Sequence, residues 1–222
     1  MTARAPAPIL SPRTVLDQLR TVRIVPVIVI DDPADAVPLG QALVAGGLSC
    51  AEITFRTERA GEALRRLTAE LPSLLAGAGT VLSPQQAALA RDSGAQFVVA
   101  PGFNPRVVDY CLANNIPVFP GVCTPTEVEA AMEKGLRVLK FFPAEPAGGL
   151  SYLKAMSAPY VDVEFMPTGG INAENIGSYL AFKKVVACGG SWMAPTDWIS
   201  AKQFDRIREE SRRAAAAARG TT

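Results

Sequence analysis

The sequence predicts an α/β fold in which eight parallel strands alternate with helices and close into a (β/α)8 TIM barrel, with an extra N-terminal helix. Three observations carry that expectation. Short apolar runs recur eight times along 222 residues, the segments between them have helical spacing, and each strand-plus-helix unit takes about 25 residues, the size of a βα repeat. Strands buried on both faces of a parallel sheet read as continuous apolar runs rather than alternating ones. An open, doubly wound sheet is the second architecture compatible with this pattern, because periodicity does not register closure.

Taken in order, the extra helix is expected over about residues 11–21, opened by Ser11-Pro12, a serine cap followed by proline at the first helical position. Strands are expected at 23–30, 49–55, 74–80, 96–100, 116–120, 137–142, 163–168 and 184–189. Between them, Ser83-Pro84-Gln85-Gln86 and Thr124-Pro125-Thr126-Glu127 each read as N-cap, proline and capping-box partner. Asn104-Pro105 and Asn172 read as caps of the helices that follow them. The alanine run after Arg212 is expected to fray, giving a loose tail over about residues 214–222. With no linker or low-complexity tract, residues 1–222 are expected to form one domain.

Composition narrows the function. Hydrophobic residues make up 49% of the chain and charged ones 19%, the balance of a soluble globular protein, and a chain of this length buries roughly 70% of its unfolded surface. Lys and Arg number 22 against 21 Asp and Glu, so there is no electrostatic footprint for nucleic acid or an anionic membrane. The longest apolar run, 24–30, is far short of the ~20 residues a membrane span needs. The chain contains no histidine, which excludes a His general acid/base, a Ser-His-Asp triad and a His-ligated metal. Cys50, Cys111, Cys123 and Cys188 form no C-x-x-C pair, so neither a zinc ribbon nor a thioredoxin-like motif is present. The first ten residues lack the charged-then-apolar profile of a signal peptide. The expectation is a cytoplasmic chain with free, buried thiols.

In a barrel the chemistry sits at the carboxyl ends of the strands. Lys140, in Val138-Leu139-Lys140-Phe141-Phe142-Pro143, falls near the end of the sixth run with apolar neighbours on both sides, whereas the other five lysines lie in helical segments or at strand starts. Burial disfavours an ammonium, and a neutral lysine amine is a nucleophile toward ketones. The plain structural reading is a stem packed on the barrel with its head at the rim. Glu52 lies near the end of the second run, and strand period two puts it on one face with Thr54 and, if the strand extends that far, Arg56. A carboxylate and a guanidinium at one mouth can serve as general base and anion clamp, or simply as an ion pair. Without histidine, a Schiff-base lysine needs such a carboxylate to move protons. Thr168-Gly169-Gly170 and Gly189-Gly190-Ser191 close the seventh and eighth runs, where glycine turns let backbone amides approach a phosphate. Thr80 ends the third run and Pro101 follows the fourth, as turn residues or as parts of the same mouth.

These residues together resemble one family. Glu52 with Thr54-Phe55-Arg56-Thr57, Gly77-Ala78-Gly79-Thr80-Val81-Leu82, Ala100-Pro101-Gly102, Lys140-Phe141-Phe142-Pro143-Ala144-Glu145, Pro167-Thr168-Gly169-Gly170-Ile171 and Gly189-Gly190-Ser191-Trp192 look like the 2-keto-3-deoxy-6-phosphogluconate (KDPG) aldolase / 4-hydroxy-2-oxoglutarate aldolase family. The resemblance runs in order from about Val25 to Pro195. It implies a metal-independent class I aldolase of the Entner–Doudoroff pathway, with no cofactor beyond the covalent Schiff base, usually assembled as a homotrimer. Its substrate is a phosphorylated 2-keto-3-deoxy sugar acid, cleaved to pyruvate and glyceraldehyde 3-phosphate. By the same resemblance Lys140 is the Schiff-base lysine and Glu52 the acid/base. Arg56 and Thr80 hold the pyruvyl carboxylate, Pro101, Phe142 and Thr168 wall the pocket, and Gly169, Gly170, Gly189, Gly190 and Ser191 bind phosphate. The alternative from another class is a phosphate-sugar-binding barrel, isomerase or binder, with Lys140 as a charge clamp.

Overall fold

A computed structural model describes residues 9–220; most of the N-terminal segment read for a signal peptide, and the last two residues, lie outside them. The extra helix is present as α1 (Pro12–Val22), with the Ser11 hydroxyl accepting from the Thr14 amide. Then follow β1 (Ile24–Ile28), α2 (Ala36–Ala45), β2 (Cys50–Thr54), α3 (Ala60–Glu70), β3 (Leu75–Gly79), α4 (Pro84–Asp92), β4 (Val98–Val99), α5 (Pro105–Ala113), β5 (Val118–Phe119), β6 (Gly121–Val122), α6 (Pro125–Glu133), β7 (Val138–Phe141), α7 (Gly149–Ser157), β8 (Glu164–Pro167), α8 (Ile176–Leu180), β9 (Cys188–Gly190), α9 (Thr196–Ser200) and α10 (Phe204–Arg219).

The strands form a six-stranded parallel sheet in the order β5-β4-β3-β2-β1-β9 and a three-stranded parallel sheet β6-β7-β8. Pro120 separates β5 from β6; it has no N–H to give to a ladder, but its carbonyl accepts from the Lys140 amide at 2.9 Å. The expected fifth strand ended at Pro120, whereas pairing resumes beyond it because Gly121 and Val122 stand opposite Lys140 and Phe141. At the other edge, single parallel bridges join Phe165 to Val185 and Thr168 to Gly189. One buried cluster gathers Val15 and Leu19 of α1 with Val25, Cys50, Leu75, Phe97, Phe119, Met166 and Val186, side chains drawn from strands of both sheets. Arg20 of α1 also pairs with Glu164 at the start of β8.

The caps at Ser83, Asn104 and Thr124 each accept a first-turn amide. Thr124 and Glu127 make the full reciprocal box, while Gln86 reaches past Ser83 to the Leu82 amide at 2.7 Å. Asn172 does not cap a helix directly: its side chain accepts from Glu174 and Asn175 in a turn, and α8 begins only at Ile176. The expected frayed tail from about residue 214 is corrected by α10, which is helical through Arg219. Ala214, Ala215 and Ala218 are buried. Small residues let this helix approach α2 closely; a Cβ on Gly46 would lie 2.7 Å from the Arg208 carbonyl oxygen. High alanine propensity and a buried face together hold the last turns.

All four cysteines are free, and Cys50, Cys111 and Cys188 are buried. Burial pushes their thiols above the ordinary 9.0, Cys111 to about 12. Unfolding frees them to ionise near pH 9, so above that pH the unfolded state binds fewer protons than the folded one and stability falls as pH rises. Urea midpoints should therefore drop from about pH 8 to about pH 10.5, and Cys111→Ala should shallow that slope by up to about 1.4 kcal/mol per pH unit. Among the described residues no helix is long and apolar enough to cross a membrane.

Candidate active site

Lys140 sits on β7 between Gly121 and Met166 of the neighbouring strands and is 5% exposed; Glu52, on β2, is 2% exposed. The two side chains converge, with Lys140 Nζ 3.8 Å from Glu52 Oε1. That is ion-pair distance but beyond the ~3.2 Å of a direct hydrogen bond. Oε1 is buried and accepts no hydrogen bond from the described residues. Nζ also lies 5.0 Å from the centre of the Phe142 ring, whose face attracts a cation. Exchanging a buried ion pair for apolar residues is often neutral or stabilising by about 1–4 kcal/mol, so fold stability gives no reason to keep this one. A buried amine and carboxylate facing each other at strand ends are what a reaction needs.

The carboxylate's place is set by its neighbour. Thr54 of β2 stands opposite Gly79 of β3, and a Cβ on Gly79 would lie 2.0 Å from Glu52 Oε1. Only glycine leaves room for Glu52 to lean over β3. Thr54, expected to share the face of Glu52, is taken up structurally: its hydroxyl donates to the Ile28 carbonyl at 2.8 Å.

Arg56 lies two residues beyond β2 and is exposed. Its Nε donates to Thr80 Oγ1 at 3.4 Å. Thr80 has φ +55, a left-handed backbone that costs a β-branched residue about 1–3 kcal/mol. The turn at the end of β3 carries that strain, and its hydroxyl faces the guanidinium.

A cavity of about 440 Å³ opens beside the pair, lined by Arg56, Phe142, Thr168, Gly169, Gly170, Gly189, Gly190 and Ser191, together with Val27, Val29, Trp192 and the turn into α9. Eight of the expected site residues thus share one cavity. Lys140 and Glu52 do not line it themselves; they are linked to it through Phe142, which lines the cavity and faces the Lys140 head, and through Val27, which lines it and stands opposite Glu52 in the sheet. Gly169 and Gly170 have φ +99 and +82, conformations natural only to glycine. Gly189 is close-packed instead, since a Cβ there would lie 2.3 Å from Thr168 Oγ1. Pro101 and Thr80 do not line the cavity; the Pro101 carbonyl oxygen lies where a Cβ on Gly121, opposite Lys140, would come within 2.0 Å. Val27, Val29 and the segment after Ser191 escaped sequence reading because apolar wall residues carry no chemical signature. Trp192 was visible only as the end of a glycine motif. Among the described residues no three His, Cys, Asp or Glu side chains converge as metal ligands.

A parallel α/β sheet that buries a lysine against a carboxylate at its strand ends, beside a cavity with a guanidinium on one wall and glycine turns on another, is the equipment of a lysine-dependent aldolase, a carbon–carbon lyase. Residues 15–210 match the family model for KDPG and KHG aldolase. The chain is 48% identical over 194 residues to the 2-dehydro-3-deoxy-phosphogluconate aldolase of Treponema pallidum, covering 87% of this chain and 92% of that one. It is similar to the KDPG aldolase of Legionella pneumophila solved with pyruvate captured at low pH as a covalent carbinolamine intermediate, at 38% identity and TM-score 0.86 over 89% of this chain and 96% of that one. It is likewise similar to the 2-keto-3-deoxy-6-phosphogluconate aldolase of Zymomonas mobilis with 3-phosphoglycerate, at 36% identity and TM-score 0.87 over 96% and 100%. The chain belongs to the KDPG and KHG aldolase family.

Proposed function

We propose that this chain is a class I aldolase that cleaves 2-keto-3-deoxy-6-phosphogluconate to pyruvate and glyceraldehyde 3-phosphate, and that it also accepts 4-hydroxy-2-oxoglutarate. The observation that carries this reading is the buried Lys140–Glu52 pair, 3.8 Å apart, joined through Phe142 to a cavity that two glycine turns also line. Lys140, as the neutral amine, adds to the C2 ketone. Glu52 supplies the proton on which the resulting carbinolamine loses water, leaving a protonated imine. The imine accepts the electrons of the C3–C4 bond as that bond breaks, while Glu52 takes the proton of the C4 hydroxyl and the aldehyde departs. Protonation of the enamine at C3 and addition of water then release pyruvate and the free amine. The charged nitrogen is the electron sink, so this route needs no metal and no further cofactor.

The free Oε1 of Glu52 suits a group that must meet a substrate hydroxyl or a water in turn. Arg56 and Thr80 hold the pyruvyl carboxylate, and Pro101, Phe142 and Thr168 shape the pocket. The glycine turns and Ser191 take the phosphate; the Legionella enzyme's captured pyruvate and the Zymomonas enzyme's 3-phosphoglycerate support a ligand with a pyruvyl group and a phosphorylated end.

The same reading takes residues 1–222 as one domain whose two sheets close into a single (β/α)8 barrel. Support comes from the bond across Pro120, the bridges at Val185 and Gly189, and the cluster that draws side chains from both sheets onto α1. We place α1 as the plug at the barrel's closed end, and the protein as a cytoplasmic homotrimer, which sedimentation tests. For substrate choice, the measurement is kcat/KM for the gluconate acid, its galactonate epimer and 4-hydroxy-2-oxoglutarate. The phosphorylated gluconate acid should lead, and an enzyme indifferent to phosphate would refute the assignment of the glycine turns.

A further inference from the structure

The loop after β7 is laced to the strand end that carries Gly169 and Gly170. The Ala144 amide donates to the Thr168 carbonyl at 2.8 Å and the Glu145 amide to the Gly169 carbonyl at 3.0 Å. The Glu145 stem continues the contact, since a Cβ on Gly170 would lie 2.6 Å from its Cβ and 2.7 Å from its Cγ. The space beside this left-handed turn is therefore filled by Glu145. Its carboxylate is held from α8, where the Tyr179 hydroxyl donates to Oε1. Tyr179 is 1% exposed and among the largest fully buried side chains, so its hydroxyl has little water to turn to. A charged acceptor makes this bond stronger than a neutral one. Burial, then the bond to Glu145, push the Tyr179 phenol up, so it remains a donor at neutral pH.

We infer that Tyr179 and Glu145 form a positioning pair for the Gly169-Gly170 turn, setting affinity for the phosphorylated end of the substrate without taking part in the lysine chemistry. This rests on the aldolase reading above and deepens it, placing behind the glycine grip on phosphate a buried phenol that does not line the cavity. A carboxylate left loose beside a phosphate site repels the ligand, and a loosened turn presents its amides less well. Removing the tyrosine hydroxyl should do both while leaving Lys140 and Glu52, on β7 and β2, undisturbed.

The test uses Tyr179→Phe, Glu145→Ala and Glu145→Gln, with two independent readouts. One is the affinity for inorganic phosphate, titrated against the Gly169, Gly170 and Ser191 amide resonances. The other is KM and kcat for the phosphorylated acid and for unphosphorylated 4-hydroxy-2-oxoglutarate. Tyr179→Phe should weaken phosphate binding and raise KM for the phosphorylated acid roughly five- to tenfold, the scale of one net hydrogen bond. Both kcat and the KM of the unphosphorylated substrate should stay within about twofold. Glu145→Ala, at an exposed position, removes the same bond and the stem packed on Gly170 but leaves no loose charge, so it loosens the turn alone and should weaken phosphate binding by a smaller factor, about two- to fivefold, even if Tyr179→Phe folds poorly. Glu145→Gln, whose amide oxygen still accepts from the phenol, should stay near wild type. Unchanged phosphate affinity in both bond-removing variants, or equal losses on both substrates, would overturn the inference. A wild type that binds phosphate but cleaves neither acid would defeat the aldolase reading instead, and the titration would still decide the role of the pair.

Discussion

Replacing Lys140 by Met should reduce turnover by more than about 10⁴-fold, to near background, because removing a covalent nucleophile removes the whole covalent route. Methionine matches the lysine stem in length and polarity of its core-facing part, so packing around β7 is largely kept. The electrostatics are not: Glu52, at 2% exposure, loses its only charged neighbour within 4 Å among the described residues. Breaking one side of a buried pair costs about 3–5 kcal/mol, whereas removing both sides does not. Lys140→Met should thus melt lower than wild type, and the double variant Lys140→Met/Glu52→Gln should regain much of the loss while remaining inactive. Thermal unfolding alongside steady-state kinetics separates the two effects. Residual turnover in a folded Lys140→Met protein would mean that another amine carries the chemistry.

The second large effect is at Glu52. Glu52→Gln keeps shape and volume but cannot accept and return a proton, and should slow turnover about 10²–10⁴-fold, the usual worth of a positioned acid/base. Loss should appear in kcat rather than in pyruvate affinity, since Arg56 and Thr80 are untouched. Gly79→Ala offers the same test from the neighbouring strand. Its Cβ would fall 2.0 Å from Oε1, so the carboxylate must move, and its kinetics should follow those of Glu52→Gln although no ionisable group has changed.

Much of this architecture is written locally. The eight apolar runs became the strand regions, and Ser11, Ser83, Asn104 and Thr124 cap the helices they precede, since apolar periodicity and a hydroxyl or amide before proline act over a few residues. Lys140 stood out because an amine in an apolar run is costly wherever the chain folds. What sequence could not give depends on partners far along the chain. Pairing resumes after Pro120 because of what lies opposite on β7, and α10 stays helical past residue 214 because α2 covers it. The space over Gly79 exists only once Glu52 leans into it from β2. Nothing local marks Tyr179, whose bond to Glu145 spans 34 positions. The left-handed Thr80 has no local signature, as threonine is a poor choice for that backbone unless its hydroxyl has a use.

The most direct test is borohydride reduction in the presence of pyruvate, followed by peptide mass spectrometry. A reduced pyruvyl adduct on Lys140 alone, absent from Lys140→Met and formed more slowly in Glu52→Gln, is the predicted result. An adduct on any of the other five lysines, or none at all, would contradict it.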